Sequence, residues 1–88
     1  MGLSLLAFVF VRVDGNGNIQ GFREAVVKYI SVLECHHMAG EYDYLLKVAA
    51  KDTAALEHFL TNQLKTIQGV AGTSTQIVLA TMKEEINA

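Results

Sequence analysis

A chain of 88 residues with 51% hydrophobic residues, 18% charged residues, no proline and a formal net charge of −2 is too apolar for disorder and long enough for one core, so a single domain over residues 1–88 is expected. The absence of any Lys/Arg cluster argues against nucleic-acid binding by this chain alone, because a phosphate backbone requires a concentrated basic face. The lone cysteine, Cys35, excludes an intrachain disulfide and fits a reducing cytosol.

The opening MGLSLLAFVFV has neither a basic n-region nor a small-residue cleavage site, and its apolar run stops at Arg12, so neither a signal peptide nor a membrane span is expected. Leu5–Val13 is rich in Val and Phe and is followed by the turn-forming Asp14-Gly15-Asn16-Gly17, which predicts a strand. Ile19, Phe22, Val26, Tyr29 and Ile30 recur at helical spacing, with Asn18 as N-cap and Gly21 as a weak point. Val32–Met38 and Tyr44–Ala50 read as the arms of a β-hairpin whose tip is Gly40-Glu41-Tyr42-Asp43. Asp52 or Thr53 then caps a second helix with the stripe Leu56, Phe59, Leu60, Leu64 and Ile67, with Lys65 in the last turn and Gly69 as the stop. Val70–Met82 closes the core, about residues 5–83, as a last strand rich in Thr, Ile and Val, and 84–88 is a polar tail.

The order βαββαβ predicts an α+β, ferredoxin-like sandwich: a four-stranded antiparallel sheet with both helices on one face. In the first strand Leu5, Ala7, Val9, Val11 and Val13 point one way and Leu6, Phe8 and Phe10 the other, so both faces are apolar. The helices can cover only one of them. Burying about 500 Å² of the second face is worth on the order of 10 kcal/mol at about 25 cal/mol per Å², before association costs are deducted. Dimerisation sheet to sheet is therefore expected.

The segment ECHHMAGEYDYLLKV, followed after a helix by GVAGTSTQIVL, resembles the C-terminal effector-binding and oligomerisation (RAM) domain of the Lrp/AsnC family of feast/famine transcription regulators, over roughly Leu5 to Lys83. The chain departs from those regulators in starting almost directly at the first strand, without a helix-turn-helix. That leaves a stand-alone effector domain or a fragment of a longer regulator. The resemblance implies a cytoplasmic, non-catalytic module of transcription regulation that senses an amino acid and needs no cofactor. It also implies an α/β-barrel-like homodimer assembling into higher oligomers of about eight subunits.

A free amino acid offers an ammonium, a carboxylate and one variable side chain, so its site needs a carboxylate acceptor, exposed N–H donors and hydroxyls. Gly40 allows close backbone approach, Glu41 or Asp43 can hold the ammonium, and Thr73 and Thr75 share one face of the last strand. Family sites resemble clefts between dimers, shared by the hairpin tip of one subunit and the last strand of another. The residues this implicates are Gly40, Glu41, Tyr42, Asp43, Thr73, Thr75 and Gln76.

Each has a plainer reading: Gly40 and Asp43 are ordinary turn residues, and Thr73 and Thr75 ordinary strand formers. Tyr42 and Tyr44 read as one aromatic pair, with Tyr42 the one to touch ligand. Cys35 and His37 would share a strand face, but with His58 far away they fall short of a metal site. Asp14–Gly17 lacks the pattern of a phosphate loop. An acylphosphatase-like enzyme is the catalytic alternative, since Gly17–Arg23 is superficially similar to the phosphate-binding segment of that family. Val32–Met38 contains no asparagine to orient a water, however, and Arg23 falls on an exposed helix position. An ACT-like small-molecule sensor shares the expected fold but not the GEYDYLL and TSTQIVL pair.

Overall fold

The computed structural model describes residues 5–14 and 19–82. Its elements run β1 (Leu5–Val13), α1 (Ile19–Val26), β2 (Val32–His37), β3 (Tyr44–Ala50), α2 (Thr53–Phe59, continued by a wider turn over Leu60–Leu64) and β4 (Val70–Ile77). The strands form one antiparallel sheet in the order β2-β3-β1-β4, so each helix crosses between strands that are not sheet neighbours, as in the ferredoxin-like fold.

Alternation in β1 sorts its side chains: Ala7, Val9 and Val11 are buried under the helices. Their cross-strand partners Val48, Leu46 and Tyr44 share that face, and Phe22 and Val26 of α1 with Leu56, Phe59 and Leu64 of α2 close over them. Leu6, Phe8 and Phe10 lie on the opposite face with Leu45 and Lys47 of β3, all half-buried. Among the described residues no helix lies over this second apolar face.

Local signals account for the second helix. Asp52 is its N-cap, with extended backbone and Oδ1 accepting from the Ala55 N–H at 2.8 Å. Near its end the Lys65 N–H donates to the Leu60 carbonyl at 3.0 Å, five positions back, so the last turn is π-helical.

Two expected boundaries differ. α1 stops at Val26, and the chain reverses through hydrogen bonds from Tyr29 N–H to Val26 O and from Val32 N–H to Tyr29 O. Tyr29 still reaches the core edge on to Phe59, with ring centroids 5.6 Å apart, but Ile30 is 95% exposed rather than part of an apolar helix face. β4 stops at Ile77 rather than Met82 because its neighbour runs out: Ile77 pairs with Ala7, Val78 N–H bonds Leu6 O, and Leu79 and Met82 stand in water. The expected cap at Asn18, the Gly15–Gly17 turn and the tail lie outside the described residues.

Candidate functional site

The hairpin tip spans Met38–Asp43. The Met38 N–H donates to the Asp43 carbonyl at 2.8 Å, closing the loop, and the Asp43 N–H donates to the Val11 carbonyl at 2.9 Å, tying it to β1. Gly40 has φ +148°, a conformation that favours glycine, and among the described residues nothing lies within 4 Å of where a Cβ would stand. Gly40 and Glu41 are exposed, while Tyr42 and Asp43 are half-buried. The tip thus offers open backbone on a fixed base.

Asp43 does structural work as well. Its Oδ2 accepts from the Val13 N–H at 2.8 Å, so one of its two carboxylate oxygens is already engaged.

Tyr42 and Tyr44 do not form a pair. They sit on opposite faces of the sheet. Tyr44 is buried on the helix side, with its ring 4.8 Å from Phe22 and stacked on His37 at 4.8 Å, and its Oη accepts from Arg23 Nε at 2.8 Å. Tyr42 lies on the open side against Phe10, ring centroids 5.7 Å apart, with the Arg12 guanidinium 5.3 Å above its ring. Arg23, on which a phosphate-binding reading would depend, is thus held by a core tyrosine.

The last-strand candidates divide in the same way. Val13 pairs with Val70 and Arg12 with Gly72, leaving Ala71 as an extra residue; beyond this bulge the alternation restarts. Thr73 and Thr75 pair with the core residues Val11 and Val9 and so lie on the helix side, half-buried. Gln76 pairs with Phe8 on the open side. Thr73, Val11 and Tyr44 make one row across the sheet, which at about 4.8 Å per strand sets the Thr73 and Tyr44 backbones about 10 Å apart, at the sheet end that carries the tip. A hollow bounded by Lys65, Val70, Ala71 and Gly72 opens beside Thr73. Thr75 and Gln76 lie further along and face opposite ways.

Arg12 was not among the sequence candidates, where it read only as the charge that ends an apolar run. The available signal was Gly72, a glycine inside a strand, which marks close approach of another group.

On β2, Cys35 and His37 pair with Leu46 and Tyr44 and share the helix-side face, whereas His36 lies opposite, with Nε2 2.9 Å from Glu34 Oε1. Among the described residues no three His, Cys, Asp or Glu side chains gather at metal-binding distance. Burial pushes the Cys35 thiol above its ordinary range, with Arg23 pulling weakly the other way. Among the described residues no helix is long and apolar enough to cross a membrane.

A family model of the Lrp/AsnC ligand-binding domain matches residues 6–88. The chain belongs to the Lrp/AsnC ligand-binding domain family. One relative is the HTH-type transcriptional regulator FL11 of Pyrococcus abyssi, 37% identical over 84 residues, which are 96% of this chain and 54% of the relative. Among solved structures, a Neisseria meningitidis transcriptional regulator in complex with L-methionine superposes with a TM-score of 0.90 at 32% identity, covering 94% of this chain and 55% of that one. The feast or famine regulatory protein of M. tuberculosis, complexed with L-methionine, gives a TM-score of 0.85 at 27% identity, covering 99% and 58%. The chain spans about half the length of these Lrp/AsnC relatives.

Proposed function

We propose that this Lrp/AsnC domain is an amino-acid-sensing and assembly module of transcription regulation, which binds a small amino acid between subunits. The observation that carries the reading is the hairpin tip: exposed backbone at Gly40 and the Glu41 carboxylate project from a loop stapled to β1 by Asp43. Such a tip supplies donors for a carboxylate and an acceptor for an ammonium without needing to order itself on binding. Two solved relatives that hold L-methionine support the same ligand class.

A second copy of the chain is the natural cover for Leu6, Phe8, Phe10 and Leu45, which gives a sheet-to-sheet dimer of α/β-barrel form, and dimers then meet around the tips and last strands. An amino acid held in that cleft favours whichever packing completes its site, so occupancy becomes a shift in assembly. In a full regulator that shift repositions DNA-binding domains; an isolated domain acts through mixed assembly.

A thermal-shift screen of the twenty amino acids tests the reading. A ligand that binds only the folded assembly adds RT ln(1 + [L]/Kd), about 1.4 kcal/mol at tenfold above Kd, and a few of the twenty should raise the melting temperature. If none does at millimolar concentration, the domain is an assembly module without a small-molecule effector.

A further inference from the structure

The guanidinium of Arg12 is held on both sides. A Cβ built on Gly72 would stand 3.0 Å from Nη2, 3.6 Å from Cζ and 3.9 Å from Nε, so the group comes up against the one residue of β4 that has no side chain. Cζ also sits 5.3 Å from the centre of the Tyr42 ring, within cation–π range. The strand beneath is fixed too, because Asp43 bonds Val11 O on one side of Arg12 and Val13 N on the other. The bulge at Ala71 sits opposite, where bulges commonly re-aim a side chain.

Among the described residues this cation has no carboxylate partner: the ion pairs join Glu34 to His36 and Lys47, and Arg12 is exposed at the sheet end that carries the hairpin tip. A planar fork of donors that is pre-positioned and unpaired matches a carboxylate bidentately.

We propose that Arg12, aligned by Gly72 and Tyr42, binds the α-carboxylate of the effector beside the backbone donors of the tip, while the tip carboxylates take its ammonium. This rests on the amino-acid reading and assigns the two ends of the ligand within it. The ligand then bridges β1 and the hairpin, and recognition of the acid end is independent of the variable side chain.

The test compares each of the twenty L-amino acids with its carboxamide on the wild type, Arg12→Gln and Gly72→Ala, below the α-amino pKa range of about 7.7–8.0 so that the amine stays charged. For any amino acid that binds the wild type, amidation should weaken binding by about 10- to 100-fold, the scale of a charged hydrogen-bonded pair. Arg12→Gln should bring the free acid down to the level of the amide and leave the amide within about twofold. Gly72→Ala keeps every ligand-facing group but displaces the guanidinium, and should reduce the acid-to-amide ratio in the same direction. An unchanged ratio in Arg12→Gln overturns the proposal while the amino-acid reading stands. Loss of both affinities together with a changed sedimentation coefficient assigns Arg12 to subunit packing and also overturns it. If no amino acid binds the wild type, both readings fall together.

Discussion

Asp43 and Val13 lie thirty positions apart and are joined by a hydrogen bond of 2.8 Å, from the Val13 backbone N–H to the Asp43 Oδ2. A residue that reads as an ordinary turn former thus completes the backbone pairing at the end of β1. Removing it leaves a half-buried donor unsatisfied, a defect worth about 1–3 kcal/mol.

Asp43→Ala should therefore lower stability by about 1–3 kcal/mol in urea denaturation, and Asp43→Asn, which keeps an oxygen acceptor, by clearly less. The pair also separates folding from binding. A variant that melts like the wild type yet loses its amino-acid response isolates the charge of Asp43, whereas equal stability of both variants would remove the backbone role.

Phe8 and Phe10 stand on the uncovered sheet face, half-buried in the monomer and flanked by Leu6 and Leu45. Light scattering on the wild type is expected to give at least twice the chain mass of 9.6 kDa. Phe8→Glu puts a charge in the centre of that face and should shift the population to monomer with the far-UV spectrum retained, since the helix-side core is untouched. A wild type that is monomeric at micromolar concentration would sink the sheet-to-sheet dimer.

Glu34 is held below its ordinary pKa of 4.5, first by its hydrogen bond to His36 and then by the charge of Lys47. Because the folded value is depressed, the stabilising contribution is present above pH 4.5 and is lost as the pH falls through the folded value. Glu34→Gln should flatten the acid limb of the stability–pH curve: its loss of stability, small for a group in contact with water, is present at neutral pH and vanishes in acid, where the wild-type carboxyl is itself protonated. A pH profile identical to that of the wild type would show that the cluster contributes nothing.

Cys35 is half-buried on the helix side of β2, and desolvation raises its pKa, so at neutral pH it is a thiol rather than a thiolate. Alkylation by iodoacetamide should be slower in the folded protein than in urea and should gain rate only at alkaline pH. Alkylation as fast in the folded protein as in urea would contradict that environment.

What the order of residues determined here is local. The apolar runs Leu5–Val13 and Tyr44–Ala50, the 3.6-residue stripe through Leu56, Phe59 and Leu64, the cap at Asp52 and the turn residues flanking these segments are short-range properties, and they set the order βαββαβ. The family pattern around GEYDYLL located the hairpin tip. Side-chain placement across strands was decided only by the tertiary structure. One extra residue at Ala71 sets which of Gly72–Ile77 face the helices, so Thr73 and Thr75 turn to the helix side and Gln76 to the open side. Long-range packing likewise sends Tyr42 and Tyr44 to opposite faces and sets Arg12 against Gly72. Register between strands depends on contacts far apart in the chain, and no local periodicity carries that information.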